Sequence, residues 1–214
     1  MSLKAGRLCF AGPGRYRCAQ TADTSAPMSK FYAFLIAACL ALPAQADWYL
    51  DNESSRLSFI STKAGNLSEV HRFLTLHGKV DAKGAVRLRV ELESVSTGIP
   101  LRDERLRSLL FNTAKFPDAH IMAQLNLAPI TDLAPGAQLE LSLPIQVEIH
   151  GRKHGYMAEL LATRLDDQRF QVVTLAPLVL HADEYGLGEG IEALRNAARL
   201  SAISLSVPVG AVMI

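Results

Sequence analysis

From residue 86 to 93 the chain alternates apolar and charged side chains without exception: Val86-Arg87-Leu88-Arg89-Val90-Glu91-Leu92-Glu93. Successive side chains of a β-strand leave opposite faces, so this period of two predicts a strand. Val86, Leu88, Val90 and Leu92 share a face that seeks cover, and the four charges share one that seeks water. Residues 138–143 repeat the pattern, and Pro144 predicts an edge or a bulge before Ile145 and Val147. Residues 120–127 place Ile121, Ala123, Leu125 and Leu127 on one face, and 202–209 alternate again. Weaker strands are expected at 57–61, 73–80, 156–164, 170–175 and 178–181. Turn chemistry separates them at 81–84, 134–136, 151–155 and 166–167, rich in Gly, Pro and Asp. Eight or nine short strands of this kind predict an antiparallel sandwich or barrel.

Two stretches break the period. Leu101, Leu106, Leu109 and Leu110 fall broadly on one helical face after Pro100, which predicts a helix over 101–110. Ile191, Leu194, Ala197 and Ala198 recur at helical spacing and predict a second over 189–199.

Composition divides the chain near residue 46. Cys9, Cys18 and Cys39 all precede that point, and the remainder holds 17 Lys+Arg against 20 Asp+Glu, a net charge of −3. A disulfide scaffold, a Cys-ligated metal centre and a Cys nucleophile are therefore excluded from the 47–214 segment. A nucleic-acid partner is disfavoured as well, since binding phosphates needs a basic excess. Residues 28–46 read as a signal peptide: Met28-Ser29-Lys30, an apolar run of 12 residues, then Ala44-Gln45-Ala46 as the cleavage site before Asp47. That run is too short to span a bilayer, which takes about 20 residues, so no stable membrane anchor is expected. Residues 1–27 have the character of a disordered or non-native leader. Export to the periplasm is the expectation.

Motifs with catalytic or metal chemistry are sparse. His150 and His154 stand four apart, but Gly151 and Gly155 favour a turn there and no H-E-x-x-H occurs, so no metal site is expected. Nucleotide-binding glycine fingerprints and a G-x-S-x-G elbow are missing too, and no cofactor is expected. The run Arg102-Asp103-Glu104-Arg105 has guanidinium groups suited to an anionic head group, or else forms a solvated helix face. Glu69, His71 and Arg102 are the residues an enzymatic reading would use.

The opening Trp48-Tyr49-Leu50-Asp51 and Ser55 to Phe59, with Phe73-x-x-Leu76-x-Gly78-x-Val80, resemble segments of the YceI-like polyisoprenoid-binding family. The block Ser94 to Gly98, Arg102-Asp103-x-x-Leu106-x-Ser108, Phe111 and Phe116-Pro117 resembles that family's central motif. His150-Gly151 and Asp183-Glu184-Tyr185-Gly186-Leu187 resemble two later ones. The resemblance covers 47–214 as one domain. It implies a mainly β fold, an antiparallel lipocalin-like β-barrel of about eight strands with two short α-helices. It also implies a periplasmic, non-enzymatic carrier holding an isoprenoid or similar long-chain lipid in an apolar lumen.

The expected lining residues are Phe59, Leu74, Leu76, Leu88, Val90, Leu92, Ile121, Leu125, Leu141, Leu143, Ile203 and Leu205, with Arg102 and Arg105 as head-group donors. The same alternation also suits a structural, stress-related barrel filled by its own leucines, and a homodimer is left open.

Overall fold

The computed structural model describes residues 47–214, so the predicted leader (1–27) and signal peptide (28–46) lie outside the described residues. The short β1 (Trp48–Tyr49) precedes β2 (Arg56–Lys63), β3 (Leu67–Phe73), β4 (Leu76–Val80), β5 (Ala85–Glu91) and the two-residue β6 (Val95–Ser96). Helix α1 (Pro100–Arg105) runs on as a π-helical segment, Leu106–Phe111. Then come β7 (Asp118–Gln124), the single turn α2 (Ala128–Thr131), β8 (Gln138–Ile149), β9 (Arg152–Arg164), β10 (Phe170–Thr174) and β11 (Leu178–His181). Helix α3 (Gly188–Ala198) leads to β12 (Ser206–Met213).

All described pairings are antiparallel, in the order β1-β4-β5-β7-β8-β9-β10-β12-β2-β3-β6, with β11 on β12. The ladder curls without closing on itself, a half-barrel whose end strands are the two-residue β1 and β6. The predicted 73–80 strand breaks at Leu74-Thr75 because the chain turns a corner there. The backbone N–H groups of both residues donate to the Ser94 hydroxyl. β6 pairs only Arg72 and Phe73 of β3, and farther along β3 helix α1 is joined to it through Arg102 and Glu69.

Turn chemistry carries the longest hairpin. His150 and Gly151 both have positive φ (54° and 72°), the signature of a two-residue type I′ turn between β8 and β9. The five-residue turn expected at 151–155 is thus two residues long, and His154 and Gly155 belong to β9. The His150 ring stacks on Phe116 at 4.4 Å and bonds the Phe111 carbonyl, tying the hairpin to the end of the π-helical segment. Pro144 sits inside β8 opposite Met157 rather than ending it. It is tolerated because the β7 ladder covers only Ile145 to Glu148, leaving β8 locally an edge on that side.

One packed cluster (Leu76, Val90, Leu92, Val95, Leu106, Phe111, Ala119) fills the corner of the curl beneath α1. A second (Val147, Ala182, Tyr185, Leu187, Ile191) seats α3 and its preceding loop. Helix α3 meets the π-helical segment so closely that a Cβ on Gly190 would lie 2.7 Å from the Leu109 carbonyl oxygen, which requires glycine. Two of the four leucines assigned to a single helical face are exposed, Leu101 (61%) and Leu109 (42%), while Leu106 is buried. The π-helical segment has a wider turn than an α-helix, so its residues do not keep the spacing that the pattern assumed.

Candidate functional site

The concave face of the sheet, roofed by α1, the π-helical segment and α3, encloses a cavity of about 650 Å³. That lies within the roughly 300–1,000 Å³ of small-molecule sites. Alternate residues of each strand supply its wall: Val86, Leu88 and Val90 from β5, Ala119, Ile121 and Ala123 from β7, Leu143, Ile145 and Val147 from β8. The period of two read from the sequence is therefore the physical origin of an apolar lumen. It is not filled by its own leucines, because small residues (Ala119, Ala123, Ala158, Ala211 and Gly210) stand at many inward positions.

Of the expected lining residues, Phe59, Leu88, Val90, Leu92, Ile121, Leu143 and Ile203 face this cavity, as do Arg102 and Arg105. Five do not. Leu76 is buried in the packed corner cluster. Leu74 is 50% exposed because it occupies the β3–β4 corner. Leu125 lies one residue past the end of β7, where its carbonyl abuts Gly84 so tightly that no Cβ fits. Leu141 holds the inward parity of β8 but lies beyond the β7 ladder and off the cavity wall. Leu205 is 43% exposed, since β12 starts only at Ser206 and the Ser204 hydroxyl, bonded to the Ser206 N–H, interrupts the alternation.

Sequence reasoning missed the contribution of β10, β11 and α3. Val172, Thr174, Leu178, Leu180, Ile191 and Leu194 all face the lumen. The α3 residues were legible as a helix face, but nothing in their spacing says that the face roofs a cavity. Tyr185 was missed as well. It is buried at the cavity wall, donating a hydrogen bond to the Tyr156 hydroxyl, which donates to Glu184. Burial pushes the Tyr185 phenol well above its ordinary pKa, so it stays protonated.

The rim beside α1 is polar. Glu69 Oε2 accepts from Lys63 Nζ at 2.9 Å and from Arg102 Nη1, and these bonds hold its carboxyl below the ordinary pKa, Lys63 contributing most. Arg102 also gives Nε to the Thr97 hydroxyl (2.8 Å) and Nη2 to the Thr97 carbonyl (2.7 Å). Asp103 completes the corner by accepting from the Thr97 N–H and hydroxyl. Arg102 is thus already committed at all three nitrogens and braces α1 against β3, while Arg105 makes one long bond (3.3 Å) to the Ala197 carbonyl. Below the rim, His71 Nε2 and the Ser61 hydroxyl are 2.8 Å apart. Glu69, His71 and Arg102 are brought together, but Glu69 bonds the two cations and His71 bonds Ser61, so they do not form a proton relay.

The zinc-like spacing of His150 and His154 serves another end: their Nε2 atoms meet the carbonyl oxygens of Phe111 and Glu184. Among the described residues no three His, Cys, Asp or Glu side chains converge in a metal-binding arrangement.

The chain is similar to a polyisoprenoid-binding domain from Saccharophagus degradans implicated in plant cell wall breakdown. The two share 37% identity and superpose with a TM-score of 0.75, over 77% of this chain and 95% of that one. It is also similar to BcnA of Burkholderia cenocepacia, at 14% identity and a TM-score of 0.60 over 77% and 98% of the two chains, a likeness of fold. No curated protein matches it. Residues 48–212 match the model of the YceI-like domain, and with the 37% identity to the polyisoprenoid-binding domain this shows that the chain belongs to the YceI-like family.

Proposed function

We propose that the protein is an exported, periplasmic carrier that holds the tail of an isoprenoid or similar long-chain lipid in this cavity and carries out no chemistry on it. The observation that carries the reading is the cavity itself: about 650 Å³, walled mostly by aliphatic and aromatic side chains, with its charged groups (Lys63, Glu69, Arg102 and Arg105) gathered at one rim. At about 30 Å³ per water-sized group it holds roughly 20 carbon-sized groups, four isoprene units. Each buried methylene contributes about 0.8 kcal/mol, so such a tail binds without a strong polar anchor. The similarity to a polyisoprenoid-binding domain supports the same ligand class. Residues 28–46 are read as the segment removed on export.

Native mass spectrometry of the protein purified from its own host tests both parts. A polypeptide mass beginning at Asp47, carrying an adduct that organic extraction recovers as a long-chain lipid, is expected. A precursor-length chain in the periplasmic fraction would overturn the cleavage before Asp47, and a protein confined to the cytoplasmic fraction would overturn the export reading. A ligand-free protein that also refuses an added C20 isoprenoid would overturn the carrier reading.

A further inference from the structure

The lumen opens where three segments meet. Ile99, Leu101 and Ala198 line the cavity and are nevertheless exposed, which places an opening between the start of α1 and the end of α3. The Arg102–Glu69 ion pair joins α1 to the β2–β3 hairpin. Arg105 reaches the Ala197 carbonyl at 3.3 Å and joins α1 to the end of α3. The Ala64 N–H donates to the Ala202 carbonyl at 2.9 Å, and Lys63 bridges Ile203, so the hairpin also holds the α3–β12 loop. Hairpin, helix and loop thus form a ring around the opening.

That ring is apolar and basic at once. Leu67, paired with Lys63 across the hairpin, is 52% exposed, and Ile99 and Leu101 are 50% and 61% exposed. Single exposed leucines are ordinary, but three large aliphatic side chains around one opening form the kind of patch that marks a contact surface. Residues 63–68, 97–101 and 199–205 contain no Asp or Glu. Around the ring, Lys63, Arg102, Arg105 and Arg199 stand against Glu69 and Asp103, an excess of two positive charges, while Glu104 pairs with Arg107. The 47–214 segment as a whole has a net charge of −3, so the positive excess belongs to the opening and not to the surface at large.

The physics of the cargo says what such a ring meets. A lipid tail that crosses water exposes every methylene on the way, whereas one that passes from a bilayer held against the opening exposes none. Surfaces that rest on membranes combine inserting apolar side chains with Lys and Arg drawn to anionic lipid. We propose that the ring is a docking face for an anionic bilayer: Leu67, Ile99 and Leu101 enter the headgroup layer, the four cations lie against it, and the tail moves between bilayer and lumen without crossing water. The inference rests on the reading of the cavity as a lipid site and adds to it the surface from which the lipid is exchanged.

Co-sedimentation of the purified protein with vesicles tests it, using phosphatidylethanolamine with roughly one phosphatidylglycerol in three lipids, and phosphatidylcholine alone. The protein should bind the anionic vesicles at least about tenfold more tightly, and that margin should shrink as salt rises from about 0.05 to 0.5 M. Arg199→Gln should weaken anionic-vesicle binding by about fivefold, one cation's share near a charged surface. Leu67→Asp, which removes an inserting side chain and adds a charge of the membrane's own sign, should weaken it by about tenfold or more. Neither residue lines the cavity, so both variants should take geranylgeraniol from detergent solution as the unaltered protein does, with unchanged Tm. Lys83→Gln, on the β4–β5 turn outside the ring, should leave vesicle binding unaltered. Equal binding to both vesicles would overturn the docking face, as would anionic binding that Leu67→Asp and Arg199→Gln leave intact. A protein that takes geranylgeraniol yet ignores both vesicles would overturn it too, would leave the carrier reading standing, and would assign the opening to a protein partner. Failure to take geranylgeraniol at all would overturn the carrier reading and the docking face with it.

Discussion

Filling the lumen from its own wall separates an open cavity from a packed core. Ala158 lies on β9, is almost fully buried, faces the cavity and belongs to neither packed cluster. Ala158→Trp adds about nine non-hydrogen atoms to a space that holds roughly 20 carbon-sized groups. A bound tail would lose close to half its buried length, about 7 kcal/mol at 0.8 kcal/mol per methylene if the displaced carbons return to water. The protein itself loses little, since the indole enters space with no atoms to displace and buries apolar surface in doing so. Val90→Trp is the contrast, because Val90 faces the same cavity from within the tightly packed corner cluster. Overpacking there costs about 1–3 kcal/mol, or about 2–10 °C in Tm for a domain of this size.

The assay is paired: lipid occupancy by native mass spectrometry and Tm by calorimetry, on the same preparations. Ala158→Trp should lose the tail at least 100-fold in affinity while holding its Tm, and Val90→Trp should melt lower. The protein's only other tryptophan is Trp48, so blue-shifted indole emission in the Ala158 variant reports burial of the new ring. An Ala158→Trp protein that keeps its lipid and melts several degrees lower would refute the open lumen.

Two further outcomes follow from local geometry and charge. Gly190→Ala should destabilise by about 1–3 kcal/mol in urea unfolding, because the added Cβ meets backbone of the facing segment (Leu109 O at 2.7 Å, Leu110 Cα at 2.9 Å), an overpacking that outweighs the gain of about 1 kcal/mol in helix propensity. A net stabilisation would show that the helices part freely. The stability conferred by neutral His71 should be fully present above its ordinary pKa of 6.5 and be lost as pH falls toward its depressed folded value, because the unfolded chain then binds a proton that the folded chain refuses. Glu69 acts lower on the scale, contributing stability above 4.5 that is lost as pH falls through its own lowered value. Urea midpoints from pH 8 down to about 2 should therefore fall in two windows, and His71→Leu should remove the upper decline alone. An unchanged upper decline in that variant would assign it to another group.

Much of the fold was legible because a half-buried antiparallel strand writes its two faces into the sequence directly. The β5 alternation holds from Val86 to Glu91 and gives way to a 3-10 turn at Leu92–Ser94, and β11 has the predicted bounds. Failures occurred where a local feature overrode the period. The Ser94 hydroxyl turns the chain at Leu74, Ser204 interrupts the approach to β12, and the π-helical segment alters the turn that a helical face assumes. Ser94 itself had no sequence context to mark it, since the N–H groups it receives lie some 20 residues away. The candidate site was legible in its apolar half only. Phe59, Leu88 and Ile121 could be assigned from parity, whereas the engagement of Arg102 depends on Glu69, 33 positions earlier, and on Thr97.

The sequence by itself determined that the 47–214 segment is a cysteine-free, weakly acidic, mainly antiparallel domain with two helical interruptions and the motifs of its family. These properties are local: each follows from period, turn residues or composition within about ten positions. Tertiary structure alone decided that the inward faces enclose a lumen of about 650 Å³, that α3 roofs it, and that the rim charges pair with one another above a half-satisfied histidine. A void is a property of how far apart several walls stand. Strand parity states which way a side chain points, while the distance to the opposite wall depends on the curl of the whole sheet and on the small residues placed across from one another.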